Sequence, residues 1–425
     1  MVELAPIFKK AYWTLAAGGL VYVLLICALT IPSVQRYAVY MHWVNPTHWQ
    51  DLREVENFGF LKTQVQAFYL KTPDNETLYA WHILPIHVAR EHEELLNEHW
   101  KPEPAEDYQS TVAYKLLAED PKARVVVSFH GNAAHIASQR RPTMYRMALS
   151  VSTPQDPVHV IAIDYRGFGL STGTPTEEGV ITDGVTLLNM LVSPPLNIPP
   201  SRIVLSGLSL GTAVTAAVAE RFAFGAPENA VAQPALQNPE PFAGIILLAS
   251  FSNIPDLLDS YSLMGVVPPI FSGFVGYPWF KNWAKSKVLD RWETSRRLAR
   301  LTGVAPNNTD ADAAHTERGV DITIVHARND AEIPWREGFA NWKAATGFRS
   351  VPDGYALDDG KIVYERVAEG GQTECRVWEK EVTATTGSNK AQVKRVRWEK
   401  VAYGGHDQLG TYSVAALAIL RSFEE

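Results

Sequence analysis

The chain has 425 residues, 46% of them hydrophobic and 20% charged, with a formal net charge of -7. That length and apolar content suffice for a large buried core, in one enlarged domain or two ordinary ones. An acidic balance without a long basic run argues against nucleic acid as a partner, and two cysteines, Cys27 and Cys375, are too few for a disulfide framework.

After a short tail at 1–10, residues 11–31 run without a charge. About 20 apolar residues are what a helix needs to cross a hydrocarbon core, so this stretch is read as a transmembrane helix. A cleaved secretory signal is the competing reading, but the run exceeds a typical signal h-region and no small-x-small cleavage site follows. A buried core helix is the third. The flanks, Lys9, Lys10 and Arg36 with Tyr12, Trp13, Tyr37 and Tyr40, instead suit a membrane interface. Two lysines before the span against one arginine after it place the N-terminus in the cytoplasm and the body in the lumen of the endoplasmic reticulum. Asn-x-Thr sequons at Asn75 and Asn307 are compatible with that side, although a chain this long contains such triplets by chance.

Residues 32–62 read as a juxtamembrane connector and 63–425 as one catalytic domain. The alternating stretches 64–70 and 77–84 around Pro73-Asp74-Asn75 predict a β-hairpin. Residues 87–120 are charged and helix-compatible; His87, His92 and His99 fall there without the spacing of a metal-ligand motif. Strand and helix signals then alternate, which predicts a mainly parallel sheet with flanking helices. The strand 124–129 ends in His130-Gly131-Asn132, residues 136–149 have helical spacing, the strand 158–163 ends in Asp164-Tyr165-Arg166-Gly167, and 177–191 is the next helix.

The strand at 203–205 feeds Gly207-Leu208-Ser209-Leu210-Gly211, followed by the Ala-rich helical pattern through Ala219. A GxSxG between strand and helix is the setting of a nucleophile elbow, where a strained turn lifts the serine Oγ clear of the sheet. The bland alternative is a tight turn whose serine caps the helix. Strand 244–249 follows. A cap insertion at about 251–300 then carries Leu263, Met264, Val266, Phe271, Trp279 and Trp283 among many apolar residues, suiting an acyl chain or ordinary helix packing.

A serine nucleophile needs a base held by a carboxylate. Asp330 follows the strand 321–326, where capping the helix near Trp335 is its alternative role, and His406 stands in a Gly404-Gly405 loop after the strand 393–401. The order Ser209, Asp330, His406 is that of an α/β-hydrolase. Oxyanion donors fall to the main-chain N–H groups of Leu210 and Asn132, with His130 bracing the latter's loop. Of the other eleven histidines all but His130 read as surface or packing residues, and the insertions 225–241, 302–319 and 349–394 as surface excursions.

Together, HGN at 130–132, DYRGFGLS at 164–171, GLSLG at 207–211, HARNDAEIP at 326–334 and GGHD at 404–407 resemble the membrane-anchored branch of the α/β-hydrolase superfamily that includes monoacylglycerol and lysophosphatidylserine lipases. The resemblance spans 111–425. It implies an α/β-hydrolase fold, Ser209 as nucleophile, His406 as general base and acid, Asp330 as its orienting partner, a lipid ester as substrate, and no metal or organic cofactor. Leu208 departs from the histidine many relatives carry before the nucleophile, and the 349–394 insertion is large. A peptidase or thioesterase with the same triad, or a non-catalytic membrane-tethered scaffold, are the alternatives in function.

Overall fold

The computed structural model describes residues 6–45, 47, 49–236, 240–304, 318–351, 354–357, 359–382 and 392–424. Helix α1 (Pro6–Ala28) is long and apolar enough to cross a membrane and leaves nearly all its side chains exposed, with Ile26 buried. After residues 29–31 comes α2 (Pro32–Tyr40), started by Pro32 and stopped at Met41, which has the left-handed φ of 46°.

The hairpin β1 (Val65–Lys71) and β2 (Thr77–Ile83) pairs antiparallel as expected, and the charged stretch after it carries α3 (Ile86–Glu91), α4 (Glu93–His99) and α5 (Val112–Glu119). The hairpin turn places Asn75 exposed at the tip with a φ of 68°; Asn307 lies outside the described residues. Strands β3 (Arg124–Phe129), β4 (Val158–Ile163), β5 (Ile203–Leu208), β6 (Gly244–Leu248), β7 (Val320–Ala327) and β12 (Gln392–Val401) run parallel. The full order is β1-β2-β4-β3-β5-β6-β7-β12-β11-β10, with β10 (Lys361–Val367) and β11 (Glu374–Val382) antiparallel at the far edge.

Helices cover both faces, which is why the central strands read as continuous apolar runs. Alternation still decides which face each residue serves. Val125 and Val127 join the core formed with α7 (Glu177–Val192) and α8 (Leu210–Phe224). Val126 and Val204 join the opposite one, with the C-terminal helix Ser413–Glu424 and Tyr145 of α6 (Arg141–Leu149). Small Ala213, Ala216 and Ala217 let α8 lie close to the sheet.

Two expectations need correction. Residues 136–149 are not one helix: α6 starts at Arg141, with Pro142 in its first turn. Ala133 and Ala134 upstream have φ of 60° and 57°, and the Asp164 carboxylate takes the Ile136 N–H at 2.7 Å, so the chain is committed to a loop. The 349–394 insertion is not a mere surface excursion either. Its described part supplies β10 and β11 to the sheet and the small hairpin β8 (Arg349–Val351) with β9 (Gly354–Ala356). Its charged sequence belongs to strands with one open face, while Trp378 packs with Trp342 and Trp398 on the other. The 302–319 excursion lies mostly outside the described residues.

The cap runs from β6 through α9 (Ile254–Leu257) and α10 (Pro278–Ser286) to α11 (Thr294–Thr302). Ser262 donates its N–H to the Glu332 carbonyl at 3.0 Å, so the cap lies against the loop that carries Asp330.

Candidate active site

Strand β5 ends and α8 begins on either side of Ser209, whose φ of 54° and ψ of -121° fall where L-residues are strained. Such a turn persists only when its surroundings over-determine it. A Cβ on Gly207 would stand 2.2 Å from the Gly211 carbonyl oxygen, and one on Gly211 would stand 2.0 Å from that of Phe129. The two glycines thus let strand, elbow and helix cross at backbone contact. Ser209 is 9% exposed, and its N–H is fixed to the Leu248 carbonyl at 3.0 Å.

The helix also supplies charge complementarity. The Thr212 N–H bonds back to the Ser209 carbonyl at 2.9 Å, while Leu210, the first residue of the helix, stands next to the serine at the positive end of the helix dipole.

Across from the elbow, the 131–134 loop follows β3. A Cβ on Gly131 would meet the Ser209 Cβ at 3.3 Å, which sets how closely this loop approaches. Ala133 and Ala134 donate their N–H groups to the carbonyls of Tyr40 and Val44, at 2.9 and 2.8 Å, whereas the Asn132 N–H makes no such backbone bond among the described residues. The loop's carbonyls are turned the other way, onto one buried guanidinium. Arg141 reaches the oxygens of His135 at 2.6 Å, Asn132 at 2.9 Å, Ala133 at 3.0 Å and Gly131 at 3.2 Å. Sequence reasoning missed this arginine, and no local pattern marks it.

His130 is buried, with Nδ1 2.7 Å from the Gly131 carbonyl and Nε2 3.5 Å from Asp164 Oδ1. Its own carbonyl accepts from the Tyr165 hydroxyl at 2.9 Å. Burial pushes the Asp164 carboxyl up to about 7, with His135, the Ile136 N–H and Arg141 opposing it.

Asp330 and His406 are brought together. His406 Nδ1 is 2.8 Å from Asp330 Oδ2, with side chains 8% and 0% exposed. The other carboxylate oxygen accepts the N–H groups of Glu332 and Ile333, each at 2.9 Å. Asp330 therefore does cap a turn, and the same carboxylate orients the imidazole. Pro334, not Asp330, stands at the N-cap of the helix Trp335–Thr346.

A second histidine was missed. His326 Nε2 lies 3.3 Å from Asp330 Oδ2 and 2.9 Å from the Ile333 carbonyl. Burial would raise the Asp330 carboxyl, but hydrogen bonds from His326 and His406 outweigh it and hold it well below the usual carboxylate range. For His406 burial pulls downward, and Asp330, with Glu332 and Asp407 near, lifts it to about 8.

Ser209, Asp330 and His406 thus occupy the carboxyl ends of β5, β7 and β12, on one edge of the sheet. Ser209 Oγ makes no hydrogen bond among the described residues, so the structure joins base to acid but not base to serine. A cavity of about 650 Å³ lies elsewhere, between β10–β12 and the C-terminal helix, lined by Glu374, Cys375, Arg397 and Arg421 among others. It holds none of these three side chains.

Residues 125–360 match a family described as the Alpha/beta hydrolase family. The chain is similar to lysophosphatidylserine lipase ABHD12 of Rattus norvegicus, 24% identical over 322 residues that cover 76% of this chain and 66% of that protein. The Danio rerio lysophosphatidylserine lipase ABHD12 is likewise 24% identical, over 75% of this chain and 68% of that one. Protein ABHD12B of Homo sapiens is 34% identical over 142 residues, 32% of this chain and 36% of its own. The chain thus spans about two thirds of the length of the lipases it matches. Among solved structures, an alpha-beta hydrolase from Vibrio vulnificus is 15% identical, with a TM-score of 0.43 over 81% of this chain and 83% of that one.

Proposed function

The chain belongs to the alpha/beta hydrolase family, and within it we propose a membrane-anchored serine hydrolase that cleaves carboxylic esters of single-chain lipids, monoacylglycerol or lysophospholipid. The observation that carries this is the strained elbow at Ser209 on the same sheet edge as the His406–Asp330 pair. The names of the lysophosphatidylserine lipases that the chain resembles favour a lipid ester over a peptide or thioester.

In this reading Nδ1–H of His406 donates to Asp330, which leaves Nε2 unprotonated and free to take the Ser209 proton. Oγ attacks the ester carbonyl. The oxyanion that forms is met by the N–H groups of Leu210 and Asn132, which stabilise charge only once it develops. As the tetrahedral intermediate collapses, His406 returns the proton to the departing alkoxide oxygen of glycerol or of the deacylated glycerophospho headgroup, leaving the acyl group on Ser209. Water, deprotonated by the same imidazole, then releases the fatty acid and restores the serine.

Lys9 and Lys10, in the first turns of α1 ahead of its uncharged run, support a cytoplasmic N-terminus and a catalytic body in the lumen of the endoplasmic reticulum, where the exposed Asn75 is open to glycosylation. An unchanged mass after deglycosylation, together with digestion of the body by protease added from the cytosolic side, would refute that topology.

Ser209→Ala is expected to abolish covalent labelling by a fluorophosphonate probe and to leave single-chain lipids intact in membranes that the parent protein depletes. Labelling that persists removes Ser209 as nucleophile. Labelling that is lost, with every lipid species unchanged, moves the substrate to a peptide or thioester.

A further inference from the structure

Between Asp259 and Lys281 the cap carries no charged residue. The two charges that bracket this run are paired with each other at 3.0 Å, and Lys285 adds bonds to Asp259 at 2.8 Å and Asp256 at 3.3 Å. Residues 260–280 are thereby pinched at a charged neck and stand out as one apolar loop. Much of it faces outward: Val275 is 86% exposed, Val266 82%, Met264 79% and Trp279 70%. A soluble surface rarely keeps so many large apolar side chains together without a partner.

The same loop touches α1. Tyr22 stacks on Phe274 with ring centroids 5.2 Å apart, and its hydroxyl donates to the Ile270 carbonyl. Ile26 is buried against Phe271 and Ala284. Gly273 allows the approach, since a Cβ there would stand 2.9 Å from the Tyr22 ring. Tyr22 lies six residues before the end of α1, which at 1.5 Å per residue is about 9 Å back along the helix. A segment packed at that level shares its depth, and 5–10 Å is roughly how far interfacial elements sink their apolar faces into a bilayer. Trp43 and Trp49, 64% and 70% exposed in the connector, have the composition of the aromatic belt at the water boundary.

We propose that residues 260–280 form a second membrane element, immersed in the leaflet that surrounds the C-terminal turns of α1, with bilayer lipid as the partner of its apolar face. The inference rests on the membrane anchorage proposed above. It adds that the cap, whose neck adjoins the Asp330 loop, takes substrate from the acyl region of that leaflet.

The test uses the full chain with Cys27 and Cys375 changed to serine, reconstituted in phosphatidylcholine vesicles. Single cysteines introduced by Val21→Cys in α1, Val275→Cys in the cap or Val363→Cys in β10 carry an environment-sensitive fluorophore. Phosphatidylcholine bearing a doxyl quencher on its acyl chain should lower emission about twofold at 21 and 275, the two sites at one depth, and leave 363 unchanged. Quenching at 21 without 275 overturns the proposal and leaves the anchor standing; quenching at neither overturns both. A blue-shifted but unquenched label at 275 would mean that protein, not lipid, covers the loop, and also overturns it. In parallel, Val275→Asp should lower turnover of vesicle-borne monoacylglycerol about tenfold, because charge is expelled from hydrocarbon, with hydrolysis of a soluble short-chain ester unchanged. Unaltered turnover on vesicles counts against immersion, as does an equal fall on both substrates.

Discussion

Replacing Arg141 by lysine tests whether the loop opposite Ser209 is held by its carbonyls. Two guanidinium nitrogens serve four acceptors at 2.6 to 3.2 Å, and one ammonium cannot reach carbonyls spread over residues 131–135. Hydrogen bonds from a charged donor are worth about 1.5–3 kcal/mol each, so the loss of two, partly repaid by water, should lower stability by about 3 kcal/mol. The larger effect is on rate. Released carbonyls let the peptide planes rotate, and the Asn132 N–H would lose the aim that the proposed oxyanion role requires of it. Loss of one such donor costs about 10²–10³ in kcat, and a misdirected one should cost about 10², with KM little altered because ground-state binding does not use it. Steady-state kinetics on a soluble short ester, alongside urea denaturation, read both quantities. An Arg141→Lys enzyme that keeps the parent's kcat within about threefold, folded or less stable, would refute the assignment.

The His406 imidazole, lifted to about 8, must be neutral to accept the serine proton, so kcat/KM should fall as pH drops below about 8. Asp330→Asn should move that limb toward the ordinary histidine value of about 6.5 and cut kcat by about 10⁴, as seen in a pH–rate profile; an unmoved limb removes Asp330 as the partner. The Asp330 carboxyl lies lower folded than unfolded, so the unfolded chain takes up the proton first: its contribution is present above about pH 4 and fades as pH falls. Acid denaturation of Asp330→Asn should therefore show a flatter pH dependence than the parent's. Gly211→Ala puts a methyl 2.0 Å from the Phe129 carbonyl oxygen, and should cost about 3 kcal/mol or more in denaturant titrations because backbone, not a flexible side chain, must yield. Tyr40→Phe removes the 3.0 Å bond to Asp290 and should lower stability in the same titrations by about 1–2 kcal/mol while turnover of a soluble ester holds.

What could be read from the chain was what depends on neighbours in sequence. The GLSLG turn, the Gly-flanked His406 and the runs that alternate with helices are local patterns, and the strands they imply stand within a few residues of their expected ends. Contacts between distant segments left no such trace. Arg141 looks like one more surface arginine, and His326 like the last residue of a buried strand, until folding sets the first against four carbonyls and the second against Asp330. The strands β10 and β11 were hidden for a different reason. An edge with one uncovered face has no need of a continuous apolar run, so KIVYERV and ECRVWEKEV have the composition of loops.

With α1 in a bilayer, as proposed above, the short passage from α1 to α2 and the bonds that tie Tyr40 and Val44 to the 131–134 loop acquire a mechanical meaning. An enzyme on a flexible tether sweeps a hemisphere and can meet substrate in solution or on an opposing membrane. Residues 29–31 alone intervene between the proposed anchor and a helix seated on the rest of the body, so in that placement the sheet edge that carries Ser209 has one heading relative to the membrane plane. Its search is two-dimensional and one-sided. Under the lipid-ester activity proposed above, lipid in the far leaflet would become substrate only after flipping, and turnover on asymmetric vesicles would report the rate of that exchange.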